Sequence, residues 1–134
     1  MVTMDVPGPA VLIVEDDRHA LSGYVEYLSS AGYDVTGVAD GASALAAALQ
    51  HTPEVVITDI TMPGMSGFEL AAALRRDDRT RAIPVIGMTA HWSREVHTLA
   101  ADVNMATVLL KPCAPAHLAA ELSRVLAILR RALH

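Results

Sequence analysis

Five short apolar runs punctuate the chain, and the segments between them carry apolar residues three or four positions apart. The runs are Ala10-Val11-Leu12-Ile13-Val14, residues 34–38, residues 54–58 with Val55-Val56-Ile57-Thr58 at their heart, Pro84-Val85-Ile86-Gly87-Met88, and Thr107-Val108-Leu109-Leu110. Most are continuous rather than alternating, the pattern of strands covered on both faces. Between the first two, Leu21, Tyr24, Val25 and Leu28 recur at helical spacing and Gly32 closes the segment. Asp40 caps a second helix through Gln50, with Leu45 and Leu49 as its main apolar positions. Ser66-x-x-Glu69 reads as a capping box for a third helix over 67–77, with Leu70 and Leu74 one turn apart. A fourth is expected over 93–101. Pro115 opens a fifth, with Leu118, Leu122, Val125 and Leu129 as its buried stripe.

Strands apolar on both faces that alternate with amphipathic helices predict an α/β protein. The expected fold is a single doubly wound (βα)5 domain, a five-stranded parallel sheet with helices on both faces. Right-handed crossovers leave few ways to connect it. Residues 1–9, with two prolines and a glycine, are expected to be a flexible tail. The domain is expected over 10–131, with no output domain in the chain.

Composition narrows the function. Just over half of the 134 residues are hydrophobic and few are aromatic, so the core is expected to be aliphatic with closely packed helices. The net charge of −5 and the lack of a basic run argue against direct nucleic-acid binding. Cys113 is the one cysteine, which rules out an intrachain disulfide and fits a reducing compartment. No apolar run approaches the ~20 residues that span a bilayer, and the N-terminus does not read as a signal peptide. A soluble, cytoplasmic protein is expected, with no membrane partner.

The stretch from Glu54 to Leu70 organises the chemistry. A buried strand delivers Asp59 at its end, Met62-Pro63-Gly64 shapes a loop, and a helix follows. An acid so placed lies at the carboxyl edge of the sheet, where open α/β sheets bind ligands. Glu15 and Asp16 end the first strand, Thr89 follows the fourth and Lys111 the fifth. Clustered carboxylates repel one another and raise each other's pKa unless a cation neutralises them. Mg2+ suits such a site, because it needs only one or two carboxylates and keeps its remaining positions for water and phosphate. Taken singly, each of these residues is an ordinary solvated loop residue. Four strand ends each supplying a compatible group is not a chance pattern.

These motifs resemble the response-regulator receiver domain of two-component signalling, over roughly residues 10–130. Four elements carry the resemblance: Val14-Glu15-Asp16, Asp59-x-x-Met62-Pro63-x-x-x-Gly67, Thr89-Ala90 and Lys111-Pro112. The resemblance implies a flavodoxin-like sheet of order 2-1-3-4-5. It implies that Asp59 is the phosphoacceptor, taking a phosphoryl group from a sensor histidine kinase or histidine phosphotransfer protein. Asp16 and Asp59 would bind Mg2+ (or Mn2+) directly, Glu15 through water, and the Thr61 backbone carbonyl would complete the protein's share. Lys111 and Thr89 would contact the phosphate, and the Lys111–Pro112 peptide would be cis. Thr61 and His91 occupy the positions that tune acyl-phosphate lifetime. Phosphorylation-linked dimerisation through the face of helix four, strand five and helix five is compatible with the family.

The chain departs from the family pattern at Val108, where an aromatic switch residue is usual. Trp92 can take part in its place, although a helix-end residue partly buried against the fourth helix is the simpler expectation. Cys113 reads as a small buried thiol. Arg75, Arg76, Arg79 and Arg81 read as a solvated face, and His19, His51, His97, His117 and His134 as surface residues. A phosphate-independent adaptor that keeps the fold is the alternative function. A phosphatase is disfavoured, because Thr61 stands where a second acid would protonate the leaving group. A flavin site is disfavoured because no phosphate-cradling loop follows the first strand.

Overall fold

The computed structural model describes residues 8–132. Five strands alternate with five helices: β1 (Ala10–Val14), α1 (Arg18–Ser30), β2 (Asp34–Val38), α2 (Gly41–Gln50), β3 (Val55–Asp59), α3 (Gly67–Arg75), β4 (Val85–Thr89), α4 (Arg94–Asp102), β5 (Thr107–Leu110) and α5 (Pro115–Ala132). All strand pairs are parallel and the order is β2-β1-β3-β4-β5. The expected tail falls mostly outside the described residues, as does His134.

Local chemistry sets the helix ends. The Asp17 carboxylate accepts the amides of His19 and Ala20 at the start of α1, and these bonds hold it below the usual carboxylate range. Asp40, Ser66 and Ser93 cap α2, α3 and α4 in the same way. Gly32 follows the C-cap of α1 with φ of +101°, a left-handed conformation that suits glycine. The third helix is shorter than expected and stops at Arg75, where buried Thr80 donates its hydroxyl to the Leu74 carbonyl at 2.7 Å.

Two cores flank the sheet. On one face, Val11, Ile13, Val55, Ile57, Ile86 and Met88 pack with Tyr24 and Leu28 of α1 and Leu118, Leu122, Val125 and Leu126 of α5. On the other, Leu12, Val14, Val56 and Val85 pack with Ala44 and Ala48 of α2 and Leu70, Ala71 and Leu74 of α3. Two details differ from the sequence expectation. In α2 the fully buried positions are Ala44 and Ala48, while Leu45 and Leu49 are half-buried. Small side chains face inward because α2 packs directly against both β1 and α3. In α5 the stripe runs through Leu126, and Leu129 is only half-buried near the helix end.

Candidate functional site

The parallel register brings the ends of four strands level. Val14 pairs with Thr58, Asp59 with Met88, and Thr89 with Leu110. Backbone hydrogen bonds continue one step past each strand, from Glu15 N to Val38 O (3.1 Å), Ile60 N to Met88 O (2.8 Å) and Lys111 N to Thr89 O (2.7 Å). The site residues therefore stand on or immediately beside rigid ladder positions. Chain order reverses between β1 and β3, so this edge is also the topological switch point.

Glu15 and Asp59 are buried and Asp16 is exposed. One carboxylate oxygen from each lies within 4.8 Å of the others, the one such cluster of potential metal ligands among the described residues. Lys111 reaches into it. Its Nζ donates to Asp59 Oδ1 at 3.0 Å and to the two Glu15 oxygens at 3.2 and 3.1 Å. Burial disfavours the Lys111 ammonium, but the hydrogen bonds to Asp59 and Glu15 outweigh it and raise its pKa. Burial, followed by the neighbouring Glu15 carboxyl, pushes Asp59 up to about 8 against the opposing pull of Lys111. The three acids face a single ammonium. The donor set is all oxygen and anionic, with no histidine or thiolate, and so fits a hard divalent cation such as Mg2+.

A cavity of about 200 Å3 opens in front of Asp59, lined also by Thr61, Thr89, Ala90, His91 and Lys111. Thr89 is nearly buried, whereas Thr61 and His91 are exposed. Val108 lies outside this cavity, one strand over from Gly87, and borders a separate groove. The Lys111–Pro112 peptide is cis. The Tyr24 hydroxyl donates to the Cys113 carbonyl at 2.8 Å, tying the loop after Lys111 to α1. The apolar spacing of α1 marks Tyr24 as core but does not indicate this bond. Cys113 is itself buried, and burial raises its thiol pKa, as expected of an inert thiol.

One reading of a surface residue changes. Arg75 is not simply part of a solvated face. It is half-buried and donates to the backbone carbonyls of Arg81, Ile83, Val103 and Asn104 at 2.6 to 3.2 Å. Trp92 is 55% exposed and partly covered by α4, where it meets the His97 ring edge-on at 5.8 Å, as expected of a residue just ahead of that helix.

A doubly wound sheet with a buried acid, a lysine and a hydroxyl at its switch point places the chain among the open α/β domains whose site lies at the carboxyl edge of the sheet. Comparison with known proteins makes the class specific. The response regulator receiver domain family matches residues 11–123, and the chain belongs to that family. It is 37% identical over 124 residues to the DNA-binding dual master transcriptional regulator RpaA of Synechocystis, covering 92% of this chain and 50% of that protein. The chain spans about half the length of the transcriptional regulators it matches. The chemotaxis protein CheY4 of Vibrio cholerae superposes with a TM-score of 0.85 at 34% identity, over 88% of this chain and 98% of that one. The receiver domain of the sensor histidine kinase PA1611 of Pseudomonas aeruginosa, whose structure holds magnesium in the active-site cleft, superposes with a TM-score of 0.76 at 29% identity, over 89% and 94% of the two chains. No helix among the described residues is long and apolar enough to cross a membrane.

Proposed function

We propose that residues 10–131 form a phosphorylation-dependent switch in which Asp59 accepts a phosphoryl group from a phosphohistidine on a sensor histidine kinase or histidine phosphotransfer protein. One observation carries this reading: Lys111 Nζ sits 3.0 Å from Asp59 Oδ1, and the Glu15 and Asp16 carboxylates converge on the same point. An Asp59 oxygen forms the new P–O bond while the P–N bond opposite breaks, leaving its electron pair on the imidazole nitrogen. Lys111 then pairs with a phosphoryl oxygen, and Thr89 donates its hydroxyl to another.

Asp16 and Asp59 would hold Mg2+ (or Mn2+) directly, Glu15 through water, and Thr61 through its backbone carbonyl. When bound, the cation neutralises phosphoryl charge and orients the oxygens for in-line transfer. Thr61 and His91 line the cavity through which water reaches the acyl phosphate, so their side chains set its lifetime. Phosphorylation shifts the equilibrium between two surface states and thereby partner binding.

The test is intact mass after incubation with a small acyl-phosphate donor, with Mg2+ or with chelator, beside Asp59→Asn. A single phosphoryl adduct that requires both the cation and Asp59 is expected. A folded protein that gains none would instead favour the phosphate-independent adaptor.

A further inference from the structure

Lys111 reaches the carboxylates from a stretch with few backbone restraints. Its own amide is fixed by the ladder bond to the Thr89 carbonyl at 2.7 Å. Beyond it, Pro112 and Pro115 have no amide hydrogen to donate. The Ala114 carbonyl accepts from Leu118 N in the first turn of α5. Among the described residues, the bond from the Tyr24 hydroxyl to the Cys113 carbonyl, at 2.8 Å, is the one that joins residues 112–114 to an element other than α5.

Tyr24 can hold that carbonyl firmly. It is buried on α1 in the same core as Cys113, Leu118 and Leu122, so its ring is fixed by close packing. Core packing accounts for the ring but not for the hydroxyl, which needs a partner once buried and has one in Cys113. Burial raises the pKa of the phenol, so it keeps its proton and remains a donor. The demand on the other side of the loop is exacting. Lys111 Nζ serves one Asp59 oxygen and both Glu15 oxygens at 3.0 to 3.2 Å. Its four-carbon stem is flexible, so where the ammonium settles depends on how firmly the backbone beneath it is held.

We infer that Tyr24 is a positioning residue for the site: by holding the Cys113 carbonyl, its hydroxyl fixes the stretch from which Lys111 reaches Asp59 and Glu15. The consequence for phosphoryl uptake rests on the phosphoacceptor reading, whereas the coupling between Tyr24 and Lys111 in the resting site does not.

The test uses Tyr24→Phe, which keeps the packed ring and removes the hydroxyl. With Mg2+ and a saturating small acyl phosphate, this variant is expected to form the Asp59 adduct about tenfold more slowly than the parent, read by intact mass. Thr80→Val removes another buried hydroxyl-to-carbonyl bond, to Leu74 at the far end of α3, and is the control for a general loss of stability. It is expected to lower the urea midpoint and keep the parental rate. A second readout is a double-mutant cycle in chelator. Tyr24→Phe is expected to lower the urea midpoint of the parent at least twice as much as that of Lys111→Met. Adduct formation at the parental rate in Tyr24→Phe, or equal slowing by Thr80→Val, overturns the inference and leaves the phosphoacceptor reading standing. A parent that takes no adduct overturns that reading instead, and the cycle alone then decides the role of Tyr24. Equal midpoint shifts in the two backgrounds reduce its bond to a purely structural one and overturn the inference.

Discussion

Gly67 backs directly onto Asp59. A Cβ at Gly67 would collide with the Asp59 carbonyl oxygen and press on the Ile60 Cα, while the Gly67 amide donates to the Ile60 carbonyl at 2.9 Å. The first residue of α3 is thus seated against the strand end that presents the acid. The obstruction is backbone, so no flexible side chain can yield to an added methyl. Gly67→Ala is expected to destabilise the fold by about 1–3 kcal/mol, read from the urea midpoint. It should also slow formation of the Asp59 adduct in the protein that remains folded, because the strand end must shift. An unchanged midpoint would refute the seating.

Lys111 is the cation that the carboxylates share in the absence of metal. Replacing it with methionine keeps much of the stem and removes the charge, leaving Glu15 and Asp59 buried without a partner. Lys111→Met is expected to cost about 1–3 kcal/mol in chelator. Because a bound divalent cation takes over part of the neutralisation, Mg2+ should stabilise this variant more than the parent. Paired urea melts with and without Mg2+ measure the difference, and an equal Mg2+ effect in both proteins would contradict it.

The fold was legible because its strands are apolar on both faces and its helices carry clear caps. Boundaries moved by a residue in β3 and β4, where Asp59 and Thr89 still take part in the ladder. In α2, hydrophobicity favoured Leu45 and Leu49, but close packing of the helix decides burial and selects Ala44 and Ala48. At the site, the order of Glu15, Asp16, Asp59, Thr89 and Lys111 along the chain pointed to one sheet edge. The sequence could not show that Lys111 pairs with both Glu15 and Asp59, or that the Tyr24 hydroxyl holds the Cys113 carbonyl, because spacing carries no distances. Arg75 illustrates the remaining gap. Its four acceptors are backbone carbonyls, which leave no mark in the sequence.

That guanidinium joins the end of α3 to the approach to β4 and to the turn between α4 and β5. Burial lowers its pKa somewhat, but arginine stays charged, so its donors persist across the working pH range. Arg75→Ala is expected to cost about 2–4 kcal/mol, because several carbonyls lose a charged donor together. Arg75→Lys should recover only part of this, since one ammonium cannot reproduce the planar fork. Chemical denaturation of the three proteins provides the test, and full recovery by lysine would show that charge, not geometry, carries the effect.

The pH dependence follows from Asp59. Its pKa in the folded protein stands near 8, raised first by burial and then by Glu15, against an ordinary value of 3.8. The folded state therefore holds this proton more tightly than the unfolded chain does. In the absence of metal, the contribution of Asp59 to stability is full below pH ~4 and is lost as pH rises through about 8. Asp59→Asn, which cannot ionise, should flatten this decline and be more stable than the parent at the alkaline end. A divalent cation competes with the same proton, so Mg2+ affinity should strengthen as pH climbs through this window. Melting temperatures across pH 5 to ~9 in chelator, beside Mg2+ titrations at each pH, examine both slopes. If the metal-free parent gained stability towards pH 8 relative to Asp59→Asn, Lys111 would outweigh burial and Glu15, and the site would rest as a neutralised ion pair.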